Sequence, residues 1–269
     1  MTGGAAGFVH AGGLRIRVSE RGRRGRPLLL VPGIGTSLDI WPPLLDALGD
    51  VRTVAFDPPG AGLSSVPPLP LRMPRLARLA AGVLDALGHS QVDVLGVSWG
   101  GALAQQLAYQ FPDRVRRLVL AATSCGLGSI PGHPAALAAM ANPLRFHSRS
   151  FFELVAPHVY GGAARRSALQ RSDEARLWLR RPPSFRGYAY QLVAITGWSS
   201  LPWLRRLPQA TLVVAGAEDP LVPVRNARIL AGRIPNATLH VVEGGGHLFL
   251  IDQAAESAAA IRSFLGAGR

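Results

Sequence analysis

Residues 92–101 read Val-Asp-Val-Leu-Gly96-Val-Ser98-Trp-Gly100-Gly101, and they decide the fold. An apolar run of strand character, Gln91–Leu95, leads into a serine with glycine two residues before and two after. The stretch Trp99–Gln110, rich in small residues, then continues as a helix. The spacing is G-x-S-x-G in its strand–turn–helix setting. A turn this sharp brings strand, serine and helix so close that side chains at the two flanking positions would collide. The serine then stands at a helix N-terminus, where the dipole and free N–H groups favour developing negative charge.

Outward from this turn the chain alternates. Leu14–Ser19, Pro27–Val31, Val51–Phe56, Val115–Ala121, Ala210–Ala215 and Thr238–Val242 read as strands. Trp41–Leu48, Leu76–Leu87, Val224–Ile234 and Gln253–Leu265 read as helices. Short, continuous apolar strands such as PLLLV are buried on both faces. Their alternation with helices predicts an α/β fold around a mainly parallel sheet. Residues 124–207 break the rhythm: they carry helix-like stretches, several prolines and many aromatics, and no clear strand. A segment this long is no ordinary loop. It predicts a helical cap inserted into a core formed by 1–123 and 208–269.

Bulk composition narrows the classes. The 269 residues are 48% hydrophobic, enough for a filled core and against disorder. No run approaches the roughly 18 apolar residues of a membrane span. The opening MTGGAAGFVH has neither the basic start nor the apolar stretch of a secretory signal, and the single Cys125 excludes an internal disulfide, so a cytoplasmic location is expected. The net charge of +13 comes from 29 arginines with no lysine. The runs Arg21–Arg26 and Arg114–Arg117 could meet phosphates, but the charges are dispersed and lack interleaved aromatics. Nucleic acid is therefore not the expected partner, and the first run reads as a solvated turn.

A serine hydroxyl needs a base to attack a carbonyl. Among seven histidines, His10 and His240 sit in strand-like stretches, His89 closes a helix, and His133, His147 and His158 fall in the insertion. His247 follows Glu243-Gly-Gly-Gly246 just after the last strand, at the sheet's C-terminal edge. The orienting acid should end the preceding strand, where Glu218 and Asp219 are adjacent; Asp219 is favoured. Asp57, in a turn of Pro58, Pro59 and Gly60, reads as a loop cap, and Asp252 as a helix-start residue. Backbone N–H groups of Trp99 and Ile34, the latter in Pro32-Gly-Ile-Gly35, are the candidate oxyanion donors. No grouping has metal-ligand spacing and no glycine loop cradles phosphates, so neither metal nor cofactor is expected.

These blocks carry a resemblance. Residues 14 to 265 resemble the α/β-hydrolase superfamily. PGIGTSLDIWPPLLDAL, AFDPPGAGLSS, QVDVLGVSWGGALAQQLA, RLVLAATSCG, TGWSSLPWLRRL, GAEDPLVP and IPNATLHVVEGGGHLFL are similar to the intracellular medium-chain-length polyhydroxyalkanoate depolymerases. The resemblance implies a triad of Ser98, Asp219 and His247, and hydrolysis of 3-hydroxyalkanoate polyesters at storage granules in the cytoplasm. One departure is Pro32, where a His-Gly pair is common in the superfamily; a backbone hole does not need that side chain. The aromatics of the insertion, among them Phe146, Tyr160, Trp178 and Trp198, suit a cap over a greasy site, and Gly33 and Trp198 are the candidate substrate contacts. An exposed apolar cap would also suit docking on a granule. Two other readings share or forgo this chemistry: a hydrolase of small esters, lactones or C–C bonds, and a non-catalytic binding protein. The intact Ser/Asp/His set speaks against the latter. Acyl-chain length and oligomeric state are not encoded in any motif.

Overall fold

The computed structural model describes residues 6–22 and 25–266. Its eight strands are β1 (Ala6–Ala11), β2 (Leu14–Arg21), β3 (Leu28–Val31), β4 (Thr53–Phe56), β5 (Val92–Val97), β6 (Val115–Ala121), β7 (Ala210–Gly216) and β8 (Ala237–Val242). They form one sheet in the order β1-β2-β4-β3-β5-β6-β7-β8. β2 pairs antiparallel with both neighbours, and every other pair is parallel. Before β6 the α-helices are α1 (Pro42–Leu48), α2 (Met73–Ala86) and α3 (Trp99–Gln110).

The apolar strands are continuous because both sheet faces are covered. Leu29, Val31, Val94, Leu118, Leu120 and Val213 point into one core with α2 and α3. Their neighbours Leu28, Leu30, Leu95, Val119, Ala121 and Val214 point into the other, with α1. Each fully buried Leu or Val contributes about 1.5–3 kcal/mol relative to exposure, and a one-residue slip of a central strand would send all its side chains to the opposite core.

Between β6 and β7 the described residues hold five α-helices and no strand: α4 (Pro134–Ala141), α5 (Arg149–Val159), α6 (Gly162–Arg166), α7 (Ala168–Trp178) and α8 (Phe185–Ile195). This segment sits over the carboxyl ends of the strands. The His133 N–H donates to the Pro220 carbonyl, Arg181 pairs with Asp39 at 2.9 Å, and the backbones of Gly60 and Gly187 lie in contact. The chain then runs through α9 (Val224–Arg233), β8, α10 (Phe249–Asp252) and α11 (Ala254–Gly266).

Three sequence expectations change. β1 was not expected; it forms a hairpin with β2 through Gly12 and Gly13, both at positive φ. The expected helix Gln253–Leu265 begins at Ala254 and is preceded by the separate turn α10, because Gln253 adopts φ −123° and ψ 45°. Asp252 therefore ends a helix rather than starting one. Of the basic run 21–26, Arg21 ends β2, while Arg23 and Arg24 lie outside the described residues.

Candidate active site

The G-x-S-x-G turn lies between β5 and α3. Ser98 has φ 55° and ψ −120°, a conformation non-glycine residues rarely adopt. Its surroundings hold it there. The Ser98 N–H donates to the Ala121 carbonyl at 2.9 Å, and Thr123 Oγ1 donates to the Ser98 carbonyl at 2.7 Å. The flanking glycines permit the approach: a Cβ on Gly96 would lie 2.3 Å from the Gly100 carbonyl oxygen, and one on Gly100 2.3 Å from that of Val31.

His247 and Asp219 come from the loops after β8 and β7. Asp219 Oδ2 lies 2.7 Å from His247 Nδ1, with both residues buried. Asp219 Oδ1 accepts the N–H groups of Leu221 and Val222 at 2.8 and 2.9 Å. Both carboxylate oxygens are thus occupied and the carboxylate cannot turn away. The His247 N–H donates to the Tyr160 carbonyl at 2.6 Å, so α5 and its cap brace the histidine loop. This contact requires glycine at 246, where a Cβ would fall 2.1 Å from the Tyr160 carbonyl oxygen. Ser98 and His247 line one cavity, though no hydrogen bond joins their side chains among the described residues. Such bonds are often long before substrate arrives.

The rival residues lie elsewhere. Glu218 turns outward to Arg166 at 2.7 Å. Asp57 accepts from the N–H groups of Leu38 and Leu63 at 2.7 and 2.8 Å, pinning two loops, and burial raises its pKa. His89 pairs with Glu20, His133 caps α4, His147 stacks on Phe185, and His240 faces Glu256. Burial also raises the pKa of the Cys125 thiol, which leaves it a weak nucleophile.

Two spaces meet at Ser98. The smaller, about 40 Å³, is lined by Gly33, Ile34, Arg145, Tyr160, Trp178 and His247 among others, and most of its wall is apolar. The larger, about 390 Å³, is lined by Trp99, Leu127, Leu137, Leu192, Ile195 and Leu221 among others; Ile34 borders both. The N–H of Trp99, first residue of α3, has no intrahelical acceptor. Gly33 and Ile34 both lie on the wall of the smaller space. Trp198 does not: it is absent from the lining of both spaces. Its Nε1 donates to Gln106 Oε1 at 2.7 Å, and its ring packs behind Gly126 and against Trp203. It is a core residue one layer back from the chamber.

Two residues at the site escaped the sequence reading. Gln191 of α8 is buried; its Oε1 accepts the Gly35 N–H at 2.7 Å, its Nε2 donates to the Pro59 carbonyl, and its own carbonyl accepts from Trp99 Nε1 at 2.9 Å. It clamps the Ile34 loop to α3. A lone glutamine in the apolar stretch Tyr188–Ile195 was the available signal. The other is Arg145. Among the described residues no group of three His, Cys, Asp or Glu side chains could hold a metal ion, and no helix is long and apolar enough to cross a membrane.

Similarity to known proteins follows the same lines. The α/β hydrolase fold family model matches residues 26–254. The chain is 47% identical over 243 residues to the poly(3-hydroxyalkanoate) depolymerase of Ectopseudomonas oleovorans, covering 89% of this chain and 84% of that one. It is 34% identical to the 2-hydroxymuconate semialdehyde hydrolase of Pseudomonas putida, covering 96% and 92%. Among solved structures, a hydrolase from Pseudomonas aeruginosa PA01 superposes with a TM-score of 0.82 at 31% identity, covering 97% and 98%. With the sheet, the serine turn and the matched family model in agreement, the chain belongs to the α/β-hydrolase family.

Proposed function

We propose that this chain is a serine ester hydrolase acting on 3-hydroxyalkanoate polyesters or their oligomers, with residues 124–207 as a cap over a core of 1–123 and 208–269. Ser98 Oγ attacks the ester carbonyl as His247 Nε2 takes its proton. Asp219 holds the Nδ1–H tautomer and supports the imidazolium. The N–H groups of Ile34 and Trp99 receive the oxyanion. His247 then protonates the leaving alcohol, and water releases the acyl group from Ser98 by the reverse sequence.

The observation that carries the substrate reading is the 390 Å³ apolar chamber opening beside Ser98, in a chain 47% identical to a poly(3-hydroxyalkanoate) depolymerase. Leu127 and Leu137, which line that chamber, are themselves exposed, and Leu144, Leu154 and Phe185 add further exposed apolar surface on the same segment. This surface suits contact with an apolar polyester granule in the cytoplasm. Each methylene buried in the chamber is worth about 0.8 kcal/mol. The rate on p-nitrophenyl esters should therefore rise about fourfold at most per carbon from two to about eight carbons, to the extent that burial is realised in the transition state. The test runs this series beside amorphous polymer granules. Hydroxy acid release from granules supports the reading. A preference for acetate esters with no release from any granule favours the small-ester alternative.

A further inference from the structure

The cavity that holds His247 also holds a charge. Arg145, in the turn Pro143–Phe146, is 1% exposed. Its Nη1 donates to the Tyr160 hydroxyl at 2.7 Å and its Nη2 to the Tyr188 hydroxyl at 3.1 Å, while Nε has no partner among the described residues. Tyr188 passes its own proton to the Met140 carbonyl, which leaves its oxygen free to accept. The guanidinium lies 4.0 Å over the Phe146 ring. The contrast with Arg17 is direct: that buried arginine pairs with Asp39 and Asp57, whereas Arg145 makes no ion pair among the described residues.

An isolated buried cation costs several kcal/mol unless a counter-charge offsets it. Phenol oxygens and a ring face offset only part of this. The group does not discharge. Burial lowers its proton affinity, but Tyr160 and Tyr188 outweigh that and leave the pKa above its ordinary value. A residue that only cross-linked two tyrosines would not require a charge. Arg145 also lines the 40 Å³ cavity together with Ser98 and His247. That space admits a few water-sized atoms, enough for a carboxylate and too little for a medium-length acyl chain, which the 390 Å³ chamber accommodates.

We infer that the small cavity is a carboxylate subsite in which Arg145 binds the free carboxyl end of the substrate, so that hydrolysis proceeds from the carboxyl terminus of a chain. The subsite stands on the cavity; the chain-end direction rests on the polyester reading above. A poly(3-hydroxyalkanoate) molecule has one free carboxylate, and it belongs to the terminal unit. With that carboxylate on Arg145, the ester joining the terminal unit to the preceding one is presented to Ser98. The Ser98 Oγ–carbonyl bond forms and the bond to the terminal unit's 3-oxygen breaks. His247, which lines the same cavity, returns to that oxygen the proton it took from Ser98. The terminal unit leaves as a 3-hydroxyalkanoate, and the remaining chain stays esterified to Ser98 until water cleaves it.

Calorimetry on the full chain tests the subsite without relying on turnover. At pH 7, 3-hydroxyoctanoate should bind at least tenfold tighter than the uncharged 3-hydroxyoctanamide, and Arg145→Gln should remove the difference. Equal binding of the two by the wild-type protein overturns the subsite, whether or not the variant folds. For the chain-end direction, kcat/KM on a 3-hydroxyoctanoate dimer with a free carboxyl should exceed that on its methyl ester at least tenfold; equal values overturn it. Undegraded granules alongside tenfold tighter acid binding would sink the polyester reading and leave the carboxylate subsite standing.

Discussion

The carboxyl edge of the sheet and the helical segment above it build the site by different rules. At the edge, the reacting groups sit on turns shaped by near neighbours: Ser98 at a turn that Gly96 and Gly100 permit, Asp219 tied by its own loop N–H groups, and His247 beyond three glycines, with the Tyr160 carbonyl bracing it from the helical segment. In the β6–β7 segment, the residues that reach the site are placed by partners far along the chain. Gln191 meets Gly35, 156 residues away, and Arg145 meets Tyr188, 43 residues away. The reacting groups thus sit on local turns of the sheet edge, whereas the residues of the helical segment that brace the oxyanion loop or line the small cavity are placed non-locally.

If that division is right, substitutions should sort by region. The largest effect belongs to the edge. Ser98→Ala should lower kcat on p-nitrophenyl octanoate by about 10⁴-fold or more while leaving the melting temperature nearly unchanged, since it removes one oxygen from a half-buried side chain that faces the cavity. Asp219→Asn comes next, at about 10³–10⁴-fold in kcat, because His247 would lose its tautomer and its charge support. The neighbouring Glu218→Gln should stay within about twofold, as its carboxylate serves a surface pair of little worth. Steady-state kinetics on the three proteins breaks the comparison if the two acids exchange ranks.

Effects in the helical segment should be smaller and differently distributed. Gln191→Ala frees the Gly35 N–H and loosens the Ile34 loop. A misplaced oxyanion donor costs up to about 10²–10³-fold when lost outright, so loosening should cost about tenfold in kcat with little change in KM. A larger change in KM than in kcat would assign Gln191 to substrate binding instead. Smallest of all, Trp198→Phe should leave the acyl chain-length trend unaltered and cost about 1–2 kcal/mol of stability, the value of its bond to the buried Gln106. A flattened trend with unchanged melting would return Trp198 to the chamber wall.

The same division explains what could be read from the residues alone. Strands such as Leu28–Val31 and Val115–Ala121 were legible because apolar runs between breakers leave little choice. The hairpin strand β1 was not, since Ala6–Ala11 has no marked apolar pattern and is held by pairing with β2. Within the site, the adjacent Glu218 and Asp219 were both open from sequence, with Asp219 favoured, and the geometry separates them by their 2.7 Å contacts, Asp219 to His247 and Glu218 to Arg166. Trp198 was misplaced for the converse reason. An aromatic in an apolar insertion has a type but no direction, and its neighbours Gln106 and Trp203 come from packing that no local pattern records.

The proposed hydrolysis turns on Ser98, raised on its strained turn and served by His247 and Asp219, being the nucleophile. Labelling with a serine-reactive alkyl phosphonate, followed by peptide mass mapping, addresses it most directly. One adduct is expected, on Ser98, forming with loss of esterase activity, absent from Ser98→Ala and slowed by orders of magnitude in Asp219→Asn. An adduct on any other serine, or esterase activity that survives full labelling of Ser98, would contradict it.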